Sequence, residues 1–454
     1  LFRSGNYYAG NFVAGDRQGS GTMYYADGSR YTGNWEQGQM NGWGTYYYAD
    51  GSVYEGNWAM DRMWGAGTLH IAGGDCYEGD WVDGKMQGKG TFWWRNGARF
   101  TGFFMDGLQT GEGTFFWQNG DKYVGTFANG LMNGKGVKYY ANGDKAVGEW
   151  QDDHQTGAGQ YITAEGKMTE GRFEQDEFIY KGKLVVKKGD VYEGEIKRNQ
   201  YHGEGTLRFA NGNVYTGHFE DGKMQGHGEL KWRTGERYVG NFEQDKRSGR
   251  GTCYYTSGDK YEGNWKEDMQ HGDGVFTWAT GEIYVGRFEW DEMSGRAVCT
   301  WKTGETYLGE YKNSNRNGHG LYKWPNGDVY EGDFENNMRW SEHGVYRWTN
   351  GDYYEGQWVR DRRNGCGTMH WFNGDEYTGE FANDLCDGQG TLKLKSAGSM
   401  KYMPGCTTYT GGWKEGKKHG QGKCYDFYGV LLYEGEYRYD FPVGRYNPNF
   451  IPAK

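Results

Sequence analysis

The chain has 454 residues, a formal net charge of −10 at pH 7 and an aromatic content of 18%. Its hydrophobic content is only 35%, and its mean hydropathy is −0.99. Charges of both signs are interspersed throughout, which argues against a nucleic-acid-binding protein, because such proteins concentrate basic residues in stripes. No apolar run approaches the roughly 18 residues that cross a bilayer, and no secretory signal peptide opens the chain, so we expect a soluble, cytoplasmic protein.

A tyrosine-like position recurs every 23 residues along most of the chain, and a glycine always follows two places later. The positions are Tyr8, Tyr31, Tyr54, Tyr77, Phe100, Tyr123, Ala146, Thr169, Tyr192, Tyr215, Tyr238, Tyr261, Tyr284, Tyr307 and Tyr330, and then, with irregular spacing, Tyr354, Tyr377, Tyr409 and Tyr433. An internal period of this length indicates a solenoid or array rather than an ordinary globular enzyme.

Each repeat has the alternation of a β-hairpin. In residues 77–99, Tyr77, Gly79 and Trp81 fall on one face of a first strand, and Glu78 and Asp80 fall on the other. A second strand of the same kind follows within the repeat. Period-2 alternation bounded by glycine-containing turns predicts an antiparallel hairpin.

Two kinds of turn connect the predicted strands. Residues 83–86, Asp-Gly-Lys-Met, lie between the strands of one repeat, and Asn96-Gly97, a dipeptide favoured in tight hairpin turns, lies between repeats. We therefore predict an all-β protein, an elongated single-layer antiparallel β-hairpin solenoid of about 19 repeats over residues 1–445. At about 4.8 Å between strands it would be a rod on the order of 180 Å long.

Aromatic residues form two columns that recur with the repeat. Because a single-layer sheet has no second layer to cover it, part of the aromatic face must stay open, and such a surface is typical of an interaction site. An amphipathic helix or an extended peptide of a partner protein fits such a groove. The predicted groove residues are Trp35, Trp58, Trp81, Trp94, Trp117, Trp232, Trp278, Trp301, Trp324, Trp348 and Trp371.

The repeat unit resembles the MORN repeat, as in Tyr261-Glu-Gly-Asn-Trp-Lys-Glu-Asp-Met-Gln-His-Gly-Asp-Gly. The resemblance covers residues 1 to about 445. It implies a twisted antiparallel sheet used for scaffolding and, in some members, for dimerisation or lipid association. Members that consist almost wholly of repeats include axonemal radial-spoke-head proteins of cilia and flagella and protist cytoskeletal scaffolds.

Departures from the repeat pattern cluster in three places. Residues 146–200 lose several pattern residues, including both tyrosines at Ala146 and Thr169, and we expect a bend or a dedicated contact there. An insertion lies near residues 395–408. The proline-rich tail at 446–454 is expected to cap the array, because proline blunts an exposed strand edge. Since Leu1 falls inside a repeat, we expect further chain before it.

The sequence gives little support to catalysis or to a metal or other cofactor. His202, His271 and His419 occupy one repeat position rather than a convergent site. The seven cysteines form no Cys-x-x-Cys motif and largely fill repeat positions, so we expect reduced thiols rather than disulfides or zinc ligands. The many Gly-x-Gly fragments lie within strands and open no helix, which excludes a phosphate-binding loop.

Lipid association is the alternative. Basic residues cluster at Lys181, Lys183, Lys187, Lys188, Lys197 and Arg198, and again at Lys417 and Lys418. Clusters of this kind bind anionic membranes, at about 1 kcal/mol per basic residue. The sequence therefore predicts a non-enzymatic cytoskeletal scaffold that holds partner proteins in its aromatic groove. An axonemal radial spoke is the first expected location. A phospholipid-associated membrane-contact or cortical scaffold is the alternative function.

Overall fold

The computed structural model describes residues 5–186, 189–395 and 400–444. Within these ranges there are thirty-nine strands and no helix. The earlier strands are β1 (Tyr7–Val13), β2 (Asp16–Tyr24), β3 (Arg30–Glu36), β4 (Gln39–Tyr47), β5 (Val53–Ala59), β6 (Arg62–His70), β7 (Cys76–Val82), β8 (Lys85–Trp93), β9 (Arg99–Met105), β10 (Leu108–Phe116), β11 (Lys122–Ala128), β12 (Leu131–Tyr139), β13 (Lys145–Gln151), β14 (His154–Ile162), β15 (Met168–Glu174), β16 (Glu177–Val185), β17 (Val191–Lys197) and β18 (Gln200–Arg208).

The later strands continue the same pattern. They are β19 (Val214–Glu220), β20 (Lys223–Lys231), β21 (Arg237–Glu243), β22 (Lys246–Tyr254), β23 (Lys260–Lys266), β24 (Met269–Thr277), β25 (Ile283–Glu289), β26 (Glu292–Thr300), β27 (Thr306–Lys312), β28 (Asn315–Lys323), β29 (Val329–Glu335), β30 (Met338–Arg339), β31 (Ser341–Arg347), β32 (Tyr353–Val359), β33 (Arg362–His370), β34 (Glu376–Ala382), β35 (Leu385–Lys393), β36 (Thr408–Lys414), β37 (Lys417–Tyr425), β38 (Leu431–Arg438) and β39 (Phe441–Pro442). The all-β class and the hairpin solenoid are confirmed.

The chain divides into two compact units, Leu1–Leu184 with Tyr192–Gly205 and Val185–Val191 with Thr206–Lys454. In the first unit the strands from β1 to β16 pair antiparallel, each with the next. In the second unit the same holds from β19 to β39, with β30 and β31 serving as one interrupted strand beside β29.

A buried tyrosine lying on two glycines is the recurring core of the repeat. Tyr77 has no exposed surface, and its hydroxyl donates a 3.0 Å hydrogen bond to the carbonyl of Asp80. A Cβ atom on Gly79 would lie 2.5 Å from that hydroxyl, and one on Gly90 would lie 2.5 Å from the ring carbon Cε2. The paired glycines are therefore required because the ring occupies the space of their side chains.

The tyrosines and the first aromatic column interlock neighbouring repeats. The Tyr77 ring meets Trp81 of its own repeat edge-on at 5.1 Å between centroids and Phe104 of the next repeat at 5.0 Å. The Trp81 indole N–H donates to the carbonyl of Gly67 in the preceding repeat at 3.1 Å. Edge-to-face packing of this kind stabilises beyond the area buried.

Aspartates cross-link consecutive repeats at both edges of the sheet. At the edge holding the turn within each repeat, the Asp61 carboxylate accepts the Met40 backbone N–H at 2.7 Å. At the edge between repeats, the Asp75 carboxylate accepts the Arg95 backbone N–H at 2.7 Å. Other members of these two ladders are Asp121, Asp144, Asp153, Asp176, Asp190, Asp245, Asp259, Asp268, Asp291, Asp352, Asp361, Asp375, Asp384 and Asp440. Many of the chain's acids thus bind backbone donors.

The turns differ from the prediction in one respect. The turn within a repeat has only two residues, because Lys85 and Met86 already belong to β8; Asp83 and Gly84 both have positive φ, 54° and 80°. This is the pattern of a type I′ turn. In the turn between repeats only Gly97 has a positive φ, 87°, while the Asn96 side chain accepts the Ala98 N–H.

The irregular region at 146–200 keeps its hairpins. Ala146 is fully buried, and the buried indole N–H of Trp150 in the same repeat has no hydrogen-bond partner. In the next repeat, where Thr169 replaces the tyrosine, the ring of Phe178 lies over Gly171, 4.9 Å from the ring of Phe173. The boundary between the two compact units falls within residues 184–206.

The insertion holds a disulfide, so the expectation that all cysteines are reduced was wrong. Cys406 and Cys424 are bonded, with their Cα atoms 5.8 Å apart. The end of the insertion lies beside β37, where the Thr407 backbone N–H donates to the Tyr425 carbonyl. Met400 and Met403 of the insertion are also buried. The five cysteines Cys76, Cys253, Cys299, Cys366 and Cys386 are free. The predicted capping tail at 446–454 lies outside the described residues.

Replacing Gly90 with valine should destabilise its own repeat by about 1 to 3 kcal/mol, because the side chain is forced against the Tyr77 ring. Gly73→Val is the matched control, since a Cβ there meets no atom within 4 Å. Hydrogen exchange of both variants measures the effect. Faster exchange should be confined to the neighbouring repeats, and a uniform change along the chain would contradict nearest-neighbour stabilisation.

High pH should unfold the protein through its buried tyrosines. Burial raises the pKa of Tyr123 and of Tyr307 to about 12, from 10.0 in the unfolded chain. Their contribution to stability is therefore complete below pH 10 and is lost as the pH rises towards 12. We expect tyrosinate absorbance to rise in two steps, the second coinciding with loss of the β-sheet circular dichroism signal. Ionisation of all 39 tyrosines near pH 10 with the fold intact would contradict this.

Candidate functional site

The two aromatic columns of the predicted groove have different environments. Trp35, Trp58 and Trp81 belong to the first column and are only 2%, 5% and 3% exposed. Their indole N–H groups donate to backbone carbonyls of the preceding repeat at 3.1 to 3.2 Å. These three rings therefore form the core of the array and do not offer a surface to a partner.

The second column remains half-buried. It lies on the same face as the buried tyrosines, where the second strand of each repeat enters the turn to the next repeat. Its members among the predicted groove residues are Trp94, Trp117, Trp232, Trp278, Trp301, Trp324, Trp348 and Trp371. The structure thus divides the predicted groove, and only this column presents tryptophan rings to solvent at regular intervals.

Consecutive rings of the second column are linked by an aromatic residue of the following repeat. Tyr322 lies 5.6 Å from Trp301 and 4.5 Å from Trp324, measured between ring centroids. Tyr346 lies 5.1 Å from Trp324 and 4.6 Å from Trp348. From Trp301 to Trp348 the rings therefore form one continuous strip.

Arginines accompany the tryptophans in the second unit, and the sequence analysis missed them. The guanidinium carbons of Arg316, Arg339 and Arg363 lie 5.8, 5.8 and 5.9 Å from the ring centroids of Trp301, Trp324 and Trp348, respectively. Arg339 also pairs with Asp361 at 3.2 Å, and its side chain is 19% exposed. The recurrence of arginine at one repeat position was the signal that could have revealed this column.

A cleft runs over the opposite face of the sheet in each unit. In the second unit a cleft of about 650 Å³ is lined by Val239, Thr252 and Val275, with charged residues nearby. In the first unit a cleft of about 710 Å³ is lined mainly by Val137, Val147 and adjoining glycines. These side chains alternate with the buried tyrosines, and the same face carries the exposed rings of Trp43, Trp64 and Phe103.

The basic residues of the lipid alternative are partly neutralised. Lys183 pairs with Glu193 at 3.1 Å, and Arg198 pairs with Glu177. Lys181 is exposed and Lys197 is half-buried on neighbouring strands. Lys187 and Lys188 lie outside the described residues.

Lys417 and Lys418, the second basic group, lie beside aromatic rings. Lys418 lies among aromatic rings, 5.4 Å from Tyr409 and 5.9 Å from Trp413, and burial lowers its pKa. Lys417 lies 5.7 Å from the ring of Tyr439. Lys418 thus substitutes for the arginine of other repeats.

Metal-binding geometry is absent from the described ranges. Among residues 5–186, 189–395 and 400–444, no group of three or more histidine, cysteine or acidic side chains could hold a metal ion. His271 and His419 instead pack against Trp290 and Tyr439, at 5.0 and 4.9 Å between ring centroids. Within the same described residues, no helix is long and apolar enough to cross a membrane.

Seventeen segments of the chain match the family model of the MORN repeat. They are 8–30, 31–53, 54–76, 77–99, 100–122, 123–145, 192–214, 215–237, 238–260, 261–283, 284–306, 307–329, 330–353, 354–376, 377–396, 409–426 and 433–445. The chain belongs to the MORN-repeat family. The two repeats between 146 and 191, which lack the tyrosine, are the ones that the match omits. The MORN repeat is a structural unit rather than a catalytic domain, which favours a protein-interaction scaffold.

Solved structures similar to this chain resemble it only distantly. The TCP domain of SAS-4 (dCPAP) from Drosophila melanogaster, in complex with a proline-rich motif of Ana2, is 11% identical, with 39% of this chain and 90% of that chain covered and a TM-score of 0.24. The wild-type TCP10 domain of Danio rerio CPAP is 12% identical, with 51% and 99% covered and a TM-score of 0.27. A streptogramin B lyase reaches 12% identity, with 58% and 91% covered and a TM-score of 0.11. Such scores support no inference about function. No curated protein matches the chain.

Proposed function

We propose that this protein is a non-enzymatic scaffold that organises partner proteins in a cytoskeletal assembly. The observation that carries the proposal is the half-buried second tryptophan column, which offers large rings on one face at intervals of two strands, about 10 Å. Tryptophan anchors commonly dominate the energy of protein interfaces. The first column already fills the core, so the second column remains available to a partner.

The spacing of the second column suits an elongated partner. An amphipathic helix or an extended peptide laid across the strands would meet one tryptophan at each repeat. The arginines beside Trp301, Trp324 and Trp348 donate to Asn337, Asp361 and Asp384 of the following repeats, so they hold the strip in place rather than offer donors to a partner. A second copy of this chain is a further partner of the same class, since some MORN proteins dimerise.

The ciliary axoneme, and a complex like the radial spoke head, is the cellular location that we propose. The resemblance of the chain to all-repeat MORN proteins supports this location. Protist cortical or basal-body scaffolds are the second location on the same ground.

Association with anionic phospholipid is the second candidate function. The exposed Lys181 and the family's lipid-associated members favour it. The ion pairs of Lys183 and Arg198 and the chain's net charge of −10 weaken electrostatic attraction to an anionic membrane.

Replacing Trp301 with alanine should weaken partner binding by about 2 kcal/mol, roughly 30-fold, if this ring is an interface anchor. Pull-down from axonemal extract, with the folded state checked by circular dichroism, measures the loss. Lys181→Glu combined with Lys183→Glu is the control and should leave the partner bound. If the charge reversal instead abolished binding to anionic vesicles while Trp301→Ala retained its partners, the lipid function would replace the scaffold.

A further inference from the structure

In the aromatic strip of the second column, a tyrosine lies between two consecutive tryptophan rings. Tyr322 occupies the space between Trp301 and Trp324, and Tyr346 occupies the space between Trp324 and Trp348. Both tyrosines stand opposite a buried core tyrosine on the paired strand, Tyr322 opposite Tyr307 and Tyr346 opposite Tyr330. The bridging position is thus defined by strand pairing.

At two bridging positions the tyrosine hydroxyl donates to an aspartate of the turn between repeats. The Tyr346 hydroxyl donates to the Asp328 carboxylate at 2.9 Å, and the Tyr161 hydroxyl donates to the Asp144 carboxylate at 2.7 Å. The acceptor precedes the tyrosine by 17 residues in a regular repeat, and by 18 where the repeat has one extra residue. Tyr346 therefore stacks on tryptophan and also satisfies its hydroxyl, whereas Tyr322 stacks on tryptophan with Arg316 5.1 Å from its ring.

Cys299 occupies the bridging position between Trp278 and Trp301. It stands opposite the core residue Tyr284, as Tyr322 stands opposite Tyr307. The small side chain leaves a cleft of about 380 Å³, whose lining includes both tryptophans and Glu282. Glu282 precedes Cys299 by 17 residues, so it stands at the repeat position that Asp144 holds relative to Tyr161.

The charges in the cleft favour a neutral ligand. The Thr280 hydroxyl donates to the Glu282 carboxylate and lowers its pKa, which keeps this acceptor ionised at neutral pH. Arg316 also lines the cleft, and it donates to the Asn337 carbonyl at 2.9 Å. Because Glu282 and Arg316 oppose one another in sign, a ligand needs no net charge of its own.

We propose that this cleft binds a tyrosine side chain of a partner protein, with the phenol ring between Trp278 and Trp301 and its hydroxyl donated to Glu282. The proposal rests on the scaffold function given above and identifies one chemical group that a partner presents. The protein's own Tyr346 shows the chemistry that fits this position, with its ring between two tryptophans and its hydroxyl donated to a carboxylate. Cys299, 4% exposed, forms part of the floor beneath the ring.

Ligand-observed NMR titration with p-cresol tests the cleft alone. The wild-type protein should bind p-cresol, and Cys299→Tyr should lose at least tenfold in affinity, because the variant fills the cleft with its own ring. Cys299→Phe is a second filling variant, in case Cys299→Tyr fails to fold. Unchanged p-cresol affinity in a folded filling variant would overturn the proposal.

The hydroxyl contact has its own matched comparison. Glu282→Gln should weaken p-cresol binding about tenfold, since a hydrogen bond to a charged acceptor is lost, and should leave toluene binding unchanged. Glu305→Gln is the control and should leave p-cresol binding unchanged. Glu305 precedes Tyr322 by 17 residues, as Glu282 precedes Cys299, but the Tyr322 ring already fills the space. Thr303 donates to Glu305 as Thr280 donates to Glu282. Equal effects of the two substitutions would overturn the role of Glu282.

Partner binding separates this inference from the scaffold function. If both are right, Cys299→Tyr and Trp301→Ala should each release a partner bound by wild type. If Trp301→Ala releases the partner and Cys299→Tyr retains it, the tryptophan column binds partners but the tyrosine cleft is wrong. If neither variant releases it, the scaffold function through this column fails as well, whatever the p-cresol titration shows.

Discussion

The contact between one tyrosine ring and two glycines determines most of this structure. The Tyr77 ring lies where side chains on Gly79 and Gly90 would otherwise be, so it reaches the backbone of two adjacent strands and still hydrogen-bonds through its hydroxyl. The ring is then sealed by Trp81 and Phe104, one from its own repeat and one from the next. A hairpin alone leaves this ring uncovered, and the next hairpin covers it. Stability therefore comes from stacking, as is typical of repeat proteins.

This arrangement explains how a polar chain forms a core with a single sheet. The core is one ring thick, and the first aromatic column completes it. The aspartate ladders hold the sheet edges by accepting backbone N–H groups from neighbouring repeats, as Asp61 and Asp75 do. The second aromatic column packs against this core and stays half-buried. Its half-buried state follows from its position at the entrance to the turn, beyond the glycine pair.

Much of the fold was predictable because the same residue pattern recurs in nearly every repeat. The strands follow from the alternation of side chains with period 2, and the tyrosine–glycine register follows from its recurrence every 23 residues. The burial of the two columns was not predictable: Trp35 and Trp94 belong to aromatic columns on the same face, yet Trp35 is 2% exposed and Trp94 is half-buried. The two-residue turn at Asp83-Gly84 was missed because Lys85 and Met86 look like turn residues. The Cys406–Cys424 bond depends on how the insertion folds back, which the repeat pattern does not encode.

Two alanine variants within one repeat test the central claim, that the first column stabilises the fold and the second remains available for binding. Trp81 is 3% exposed, and Trp94 in the same repeat is half-buried. Chemical denaturation of both variants, monitored by circular dichroism, compares their unfolding free energies. The account predicts that Trp81→Ala costs about 3 to 5 kcal/mol, as for a buried aromatic residue, and that Trp94→Ala costs less than half as much. Equal losses, or a larger loss for Trp94→Ala, would contradict the division between a structural column and a binding column.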